Sequence, residues 1–381
     1  MHRMSDAARV ENRSRAVVIV PPSGRICATR ANGCAASAAG IGVRCKAIAL
    51  RGAASAGSYF LNQKAFASQG DLEEKQVSFV EMGPGAFAYT AEGDPNSGIV
   101  VSDQGVFVID TQATPVMARD VIDRIRGVTD IPVRWVVLSH YHAVRVLGAS
   151  AYNAEFIVAS QGTHDLIVER GDADMHSEIG RFPRLFRAVE SVPGLTWPNV
   201  VFNDRLTLHL TYKGKPRTVD IAHVGRGHTK GDTIVWLRED RVLYSGDLVE
   251  YGATPYTGDA YLRDWPATLD RLEAMQAVAL VPGRGAALTT PQSVKAGLDG
   301  TRDFIRMMYG SVEAAARAGR PLNAVYKETY ERLKPKFGHW VIFDHCLPFD
   351  VTRAYDEATA YPDPRIWTAE RDIEMWKSLE G

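Results

Sequence analysis

Short β-rich runs alternate with helical patterns from Gln76 to about residue 290, and this alternation restricts the chain to few folds. In the stretches ATPVMARDVIDRIRGV and DWPATLDRLEAM, the apolar residues recur at the spacing of one helix face. The strand candidates are SGIVVSD, GVFVIDT, PVRWVVLS, RLTLHLTY, RTVDIAHV, DTIVWLRED, RVLYSGDLV and AVALVPGRG. They fall into two similar halves, which predicts an α/β (α+β) domain over residues 71–290. From Pro291 onward the pattern is mainly helical, so residues 291–381 are predicted to form a C-terminal helical region.

The first 70 residues differ in composition from the rest. No acidic residue occurs between Glu11 and Asp71, and Ala, Gly and Ser fill much of this stretch. Such a composition is typical of a disordered or targeting-like extension. We therefore expect residues 1–70 to contribute nothing to the fold, so a chain starting near Asp71 is predicted to be as stable and active as the full one. If the extension is a transit peptide, the protein is organellar.

Charge and cysteine content narrow the class of protein. The formal net charge is −1, which does not favour binding to nucleic acid or to an anionic membrane. No apolar stretch approaches the roughly 18 residues that a membrane span requires. Of four cysteines, only Cys346 lies outside the first 70 residues, so no disulfide framework is predicted. We expect a cytoplasmic protein with a small-molecule substrate.

The stretch SHYHAVRVLGA directly follows a predicted buried strand and holds two candidate metal ligands. His140 and His142 are two residues apart, so on extended backbone both rings project to the same side. Two imidazoles suit zinc or iron, although a pair alone is more often a surface or core feature. Two further candidates stand at chain turns: His228 in the glycine-flanked GRGHTKGD and Asp247 in YSGDLVE, just after a strand.

Taken in order, with GVFVIDT before them and VPGRG after them, these motifs resemble the metallo-β-lactamase superfamily over roughly residues 76–290. The resemblance implies an αββα sandwich, in which two mixed sheets pack face to face with helices outside and a metal site at one edge. Appended helices in this superfamily often cover the site or make dimer contacts, so the C-terminal helical region raises the expectation of a homodimer.

The sequence departs from the family pattern at three positions. The family's first histidine motif reads HxHxDH, but Val144 stands where Asp is expected and Arg145 where His is expected. In VPGRG, Arg284 replaces the family's last histidine. All three replaced residues belong to the second metal of the family, so the resemblance implies a mononuclear site.

The residues of the family's first metal are all present. The resemblance implies that His140, His142 and His228 hold one zinc ion per chain, with Asp247 nearby or bound and iron(II) as the alternative metal. One zinc with three histidines lowers the pKa of its water to about 7 and creates a nucleophilic hydroxide. Asp247 is the candidate catalytic residue because its carboxylate is placed to orient or deprotonate that water.

A metal-dependent hydrolase of an ester, thioester, lactone-like or other anionic substrate is therefore the predicted function. We expect Arg145 and Arg284 to replace the charge of the second metal and bind the substrate's anionic group, with Tyr141 as a further substrate-binding candidate. Two alternatives remain open. One is a mononuclear non-haem iron dioxygenase of the persulfide dioxygenase type. The other is a metal-free binding protein in which Arg145 or Arg284 pairs with Asp247.

A polar stretch between the two halves, HDLIVERGDADMHSEIGRFPRLFRAV, is predicted to be helical. Its charged residues suggest an insertion rather than a core element. We expect its two histidines, His164 and His176, to be solvated.

Overall fold

The computed structural model describes Val18–Ile19, Ser68 and residues 71–380, which form two sheets packed face to face with helices on both outer faces. The larger sheet has the order β1-β8-β7-β6-β5-β4-β3-β2, and the smaller has the order β13-β12-β11-β10-β9. The strands are β1 Val18–Ile19, β2 Val77–Gly83, β3 Ala86–Ala91, β4 Ser97–Ser102, β5 Gly105–Ile109, β6 Val133–Val137, β7 Phe156–Ser160, β8 Val200–Phe202, β9 Arg205–Tyr212, β10 Lys215–Ala222, β11 Ile234–Leu237, β12 Val242–Gly246 and β13 Ala279–Pro282.

The helices lie between strands in the first two-thirds of the chain and follow one another after it. They are α1 Pro115–Arg126, α2 Ala143–Val146, α3 Gln161–Arg181, α4 Trp265–Ala274, α5 Pro291–Arg317, α6 Leu322–Phe337, α7 Phe343–Thr359 and α8 Ala369–Glu380. This is the αββα sandwich that the resemblance implies, with the expected helical region after it, so the predicted fold class is confirmed.

Alternation along the central strands explains the three apolar layers. In β5, Val106 and Val108 pack among the residues that α1 covers, whereas Phe107 and Ile109 pack between the two sheets. All four side chains are buried because both faces of the strand are covered. The other outer layer packs α4 and the C-terminal helices against the smaller sheet.

Helix α3 corrects one sequence-based interpretation. The helix itself is confirmed, but it is not a solvated insertion, since a row of its charged residues is buried. The carboxylate of Asp174 accepts the backbone N–H of Ala143 at 2.7 Å, and that of Glu178 accepts the N–H of Val144 at 2.9 Å. Two charged side chains of α3 therefore cap the start of α2, where backbone donors lack partners within the helix.

The N-terminal extension lies mostly outside the described residues. Val18–Ile19 form a two-residue edge strand antiparallel to β8. Ser68 donates a hydrogen bond to the carbonyl of Arg181 at 3.1 Å, and its Oγ lies 2.5 Å from Nδ1 of His345. That residues 1–70 are dispensable stays a prediction. Among the described residues, no helix combines the length with the apolar character needed to span a bilayer.

Candidate metal centre

Four sequence-predicted site residues meet at one edge of the sandwich. His140 and His142 follow the end of β6, His228 lies in the turn between β10 and β11, and Asp247 directly follows β12. Ligands from separate loops converge here because these strand ends share an edge. The three histidines are buried, and one ring nitrogen from each lies within 4.8 Å of the others.

Each histidine is oriented by a partner on its outer nitrogen. Oγ of Ser139 donates to the carboxylate of Asp110 at 2.7 Å. The same Oγ therefore accepts a hydrogen bond from Nδ1 of His140, at 2.8 Å. Nδ1 of His228 donates to the carbonyl of Tyr256 at 2.9 Å. Because the outer nitrogens of both rings carry the proton, their Nε2 lone pairs point inward. Such outer hydrogen bonds are typical of histidines that bind metal ions.

The third histidine uses the opposite ring nitrogen. Nε2 of His142 lies 3.1 Å from the carboxylate of Asp259, which accepts its proton, so Nδ1 faces inward. This Nδ1 lies 3.0 Å from Nε2 of His228. When His142 is protonated this contact is a hydrogen bond, and a metal ion bound by both rings would displace the shared proton. The donor set therefore fits a metal ion held by Nε2 of His140, Nδ1 of His142 and Nε2 of His228.

The surrounding charges give the three imidazoles different pKa values. Burial, together with the neighbouring histidines, lowers the pKa of His140 well below its ordinary value. Burial also lowers the pKa of His228, to about 3. For His142 burial acts in the same direction, but Asp174, Asp259 and Glu178 outweigh it and raise the pKa to about 9. A positive charge is thus favourable at the His142 side of the cluster.

The carboxylate of Asp247 completes the ring of donors. Its Oδ2 lies 3.8 Å from Nε2 of His140 and 3.7 Å from Nε2 of His228. A Cβ on Gly283 would lie only 2.1 Å from Oδ1 of Asp247, so this position has to be glycine for the carboxylate to fit. Burial opposes the charge, but Arg145, His228 and Arg284 lower the pKa of Asp247 below its ordinary value. The group is an anion at neutral pH.

Arg145 contacts the same carboxylate from inside the protein. Its side chain has no exposed surface, and Nη2 forms an ion pair with Oδ1 of Asp247. Nη1 donates to the carbonyl of Asn96 at 3.2 Å and lies 4.0 Å from Asp110. A guanidinium therefore occupies the space behind Asp247 and neutralises it.

Arg284 is the second cation near Asp247. Its Nη1 lies 3.7 Å from Oδ2 of Asp247, and its backbone N–H donates to Glu250 at 2.5 Å. Burial and the charge of Asp247 raise the pKa of Glu250 to about 8. Because Glu250 is largely protonated at neutral pH, the charge of Arg284 is compensated mainly by Asp247.

The comparisons with known proteins agree with this geometry. The family model described as "Metallo-beta-lactamase superfamily" matches residues 90–284. The chain belongs to this superfamily.

Two curated relatives and one solved structure illustrate how distant the similarity is. The chain is 23% identical over 248 residues to a linear primary-alkylsulfatase of Pseudomonas sp., covering 55% of this chain but only 45% of that protein. It is 22% identical over 205 residues to a metallo-beta-lactamase type 2 of Bacillus cereus, covering 52% and 70% of the two chains. A stereoselective inverting sec-alkylsulfatase from Pseudomonas sp. has a TM-score of 0.59 at 16% identity, over 75% of this chain and 51% of that one.

The departures from the superfamily pattern form one region of the site. Val144 is buried in the apolar core, and Arg145 and Arg284 direct their guanidinium groups at Asp247. Within residues 71–380, His140, His142 and His228 are the one group of three side chains suited to a metal ion.

Tyr141 lies next to the cluster but is bound elsewhere. Its hydroxyl donates to Oδ2 of Asp259 at 2.9 Å, the same oxygen that accepts from His142. Oδ1 of Asp259 accepts from Arg170 of α3 at 2.9 Å. Whether Tyr141 contacts substrate stays a prediction. Sequence reasoning missed Asp259 and Arg170, because no local pattern relates them to a histidine more than 25 residues away.

A narrow cavity beside the histidines holds further side chains that the sequence motifs do not mark. Arg181, Phe182 and Tyr256 line it together with Arg284. The pair His345 and Cys346, in the first turn of α7, also lines it. In a helix, adjacent residues are only about 100° apart, so both reach the same cavity.

Proposed function

We propose that the protein is a mononuclear zinc hydrolase that acts on an ester-type substrate carrying an anionic group. The observation that carries this proposal is the set of three inward-facing imidazole nitrogens, each fixed by a partner on the opposite ring nitrogen. Two of these nitrogens, Nδ1 of His142 and Nε2 of His228, lie 3.0 Å apart, close enough to bind the same ion. Replacement of the second site's ligands by Val144, Arg145 and Arg284 supports a single metal.

When bound, the metal supplies Lewis-acid activation of a water molecule and of the substrate. The chain's own residues supply the rest. Asp247 is an anion whose Oδ1 is held by Arg145, so Oδ2 faces the histidines in a fixed position. That oxygen is placed to accept a proton from a water molecule as the water attacks. Burial of the whole cluster excludes bulk water and strengthens these interactions.

The substrate class follows from the charges beside the site. Arg284 lines the cavity, and its carboxylate partner Asp247 also pairs with Arg145, so an anionic group next to Arg284 is favourable. One relative is named a linear primary-alkylsulfatase and another a metallo-beta-lactamase, which supports testing sulfate esters and lactone-like rings. The fold hosts many substrates, so the choice among esters, thioesters, lactones and sulfates rests on assay.

The full chain should be loaded with zinc or with iron(II) and assayed on a panel of anionic esters, thioesters, lactones and sulfate esters. We expect hydrolysis by the zinc form and a fall in kcat of roughly 100-fold or more in Asp247→Asn, the range of general-base catalysis. Asp264→Asn, an exposed carboxylate on another loop, is the matched control. Oxygen consumption with glutathione persulfide by the iron form, without hydrolysis by the zinc form, would favour a dioxygenase instead.

A further inference from the structure

The cavity beside the histidines has two guanidinium groups in its wall, Arg181 from the last turn of α3 and Arg284 from the loop after β13. Tyr256 lines the cavity together with His142 and His228, and its ring centroid is 5.6 Å from that of His142. A group bound between these side chains would therefore be adjacent to the metal. None of the sequence motifs assigns a role to Arg181 or to Tyr256.

Arg181 is a buried cation whose nearby carboxylates, Asp372 and Glu178, are not within hydrogen-bond distance of its guanidinium group. Its side chain is 2% exposed, yet its ion pair with Asp372 spans 3.9 Å, and Nε has no hydrogen-bond partner among the described residues. Its guanidinium carbon lies instead 4.7 Å from the ring centroid of Phe349. Arg353, which is equally buried, shows the contrast: it donates to Glu357 at 2.9 Å and to three backbone carbonyls. A buried guanidinium normally has such partners.

Tyr256 offers a hydroxyl next to this cation. The guanidinium carbon of Arg181 lies 5.5 Å from the centroid of the Tyr256 ring. The buried hydroxyl of Tyr256 has no acceptor in the described part of the chain. A phenol hydroxyl carries one proton to donate, and this one is aimed into the buried site without an acceptor. A ligand oxygen is the acceptor that this donor lacks.

The two carboxylates in the cavity wall are already engaged. Glu178 accepts the backbone N–H of Val144, and Asp247 pairs with Arg145 behind it. These two carboxylates face three guanidinium groups, Arg145, Arg181 and Arg284, and a divalent metal at the histidines would make the cavity still more positive. A small anion offsets part of this charge at low cost, because the donors are fixed in place before it binds.

We infer that one oxygen of the substrate's sulfate or carboxylate end enters this cavity, whose volume of about 10 Å³ admits a single small group, with Arg181 and Tyr256 as its donors. This inference rests on the proposed function for its location next to the reacting group. Arg145 is unsuited to the role because it has no exposed surface and already pairs with Asp247. The substrate class narrows accordingly to esters whose charged group lies close to the bond that is cleaved.

Binding can be tested without any knowledge of the natural substrate. Sodium sulfate and sodium acetate are titrated separately into the zinc-loaded full chain by calorimetry, at constant ionic strength. We expect saturable binding of at least one of them, weakened about tenfold or more in Arg181→Met and more mildly in Tyr256→Phe. Arg320→Met removes one positive charge on a distant surface, where Arg320 pairs with Glu328, and should bind the anion like the unmodified chain.

The two anions distinguish a sulfate-type from a carboxylate-type substrate, and binding of either supports the inference. Binding of neither anion, or binding unchanged in both Arg181→Met and a folded Tyr256→Phe variant, overturns it. The conservative Tyr256→Phe keeps the test valid if Arg181→Met does not fold. Anion binding without hydrolysis of any ester would reject the proposed function and leave the anion site standing. Hydrolysis without anion binding would support the proposed function and reject the anion site.

Discussion

Arg145 forms an ion pair with Asp247 in the interior, on the side of the carboxylate that faces away from the histidines. The arginine stands where the superfamily pattern has a ligand of the second metal. One fixed positive charge thus remains behind Asp247, and unlike a metal ion it cannot dissociate or be chelated. We conclude that this site keeps the charge of a second cation at that position without keeping its coordination chemistry.

The first prediction concerns the stability of this ion pair. Arg145→Met should lower the free energy of unfolding by about 3 kcal/mol or more, because it leaves the Asp247 carboxylate buried with only a distant partner. The double variant Arg145→Met with Asp247→Asn should recover part of that loss. Urea unfolding provides the measurement, and Arg134→Met, which breaks an exposed pair with Glu155, is the control at under about 1 kcal/mol. A loss in Arg145→Met as small as in the control contradicts the prediction.

The second prediction concerns the carboxylate that orients His142. Asp259→Asn should weaken zinc affinity by about 10- to 100-fold, because the amide cannot hold the Nε2 proton of His142 as firmly. Competition with a chelator of known affinity measures this change. Asp264→Asn, on the same loop and exposed, should bind zinc like the unmodified chain. Equal affinity in both variants would show that Asp259 has no positioning role.

The sandwich and the histidine cluster could be predicted from the sequence because both depend on short local patterns. A buried strand has a continuous apolar run, and His140, His142 and His228 stand beside such runs or within a glycine-flanked turn. The orienting residues Asp259 and Arg170 had no comparable pattern. Their role depends on which loop and which helix pack against the strand ends, and that is decided by long-range packing.

The same reason explains why α3 was wrongly expected to be a solvated insertion. Charged residues at helical spacing usually indicate a solvated face, and here they face buried partners. Arg170 pairs with Asp259, and Asp174 and Glu178 cap α2. Single-sequence periodicity does not distinguish a charged face in water from one that meets other charged groups inside the protein.

The third prediction is a pH dependence away from the metal centre. Asp220 of β10 has a side chain 3% exposed, and it accepts from Arg238 and Thr207, each at 2.5 Å. Burial opposes its charge, but these donors lower its pKa below the ordinary value. Stabilisation by this carboxylate is therefore complete above about pH 4, the unfolded-state value, and is lost as pH falls through the lower folded-state value.

Asp220→Asn should accordingly cost about 1–3 kcal/mol of unfolding free energy at pH 7. The difference between the variant and the unmodified chain should shrink as the pH is lowered below about 4. Unfolding free energies of both proteins at pH 7 and pH 3 measure this. A difference that grows on acidification is incompatible with a lowered pKa.

The fourth prediction concerns the N-terminal boundary. A chain that begins at Asp71 loses the edge strand Val18–Ile19 and the contacts of Ser68 with Arg181 and His345. It keeps the ion pairs of Asp71 with Lys75 and Arg184. We expect it to fold, to bind zinc and to be less stable by no more than about 1–2 kcal/mol, the contribution of such hydrogen bonds. Thermal unfolding and metal content test this. Failure of the shortened chain to fold means that residues 1–70 belong to the domain.

The central claim is a single metal ion held by the three histidines, and metal analysis of the full chain tests it most directly. Protein is loaded with excess zinc, freed of unbound metal and measured by elemental analysis alongside its His228→Ala and His176→Ala variants. We predict about one zinc ion per chain in the unmodified protein and in His176→Ala, whose ring is exposed, and none in His228→Ala. Two tightly bound ions per chain, or no zinc in the unmodified protein, would contradict the account.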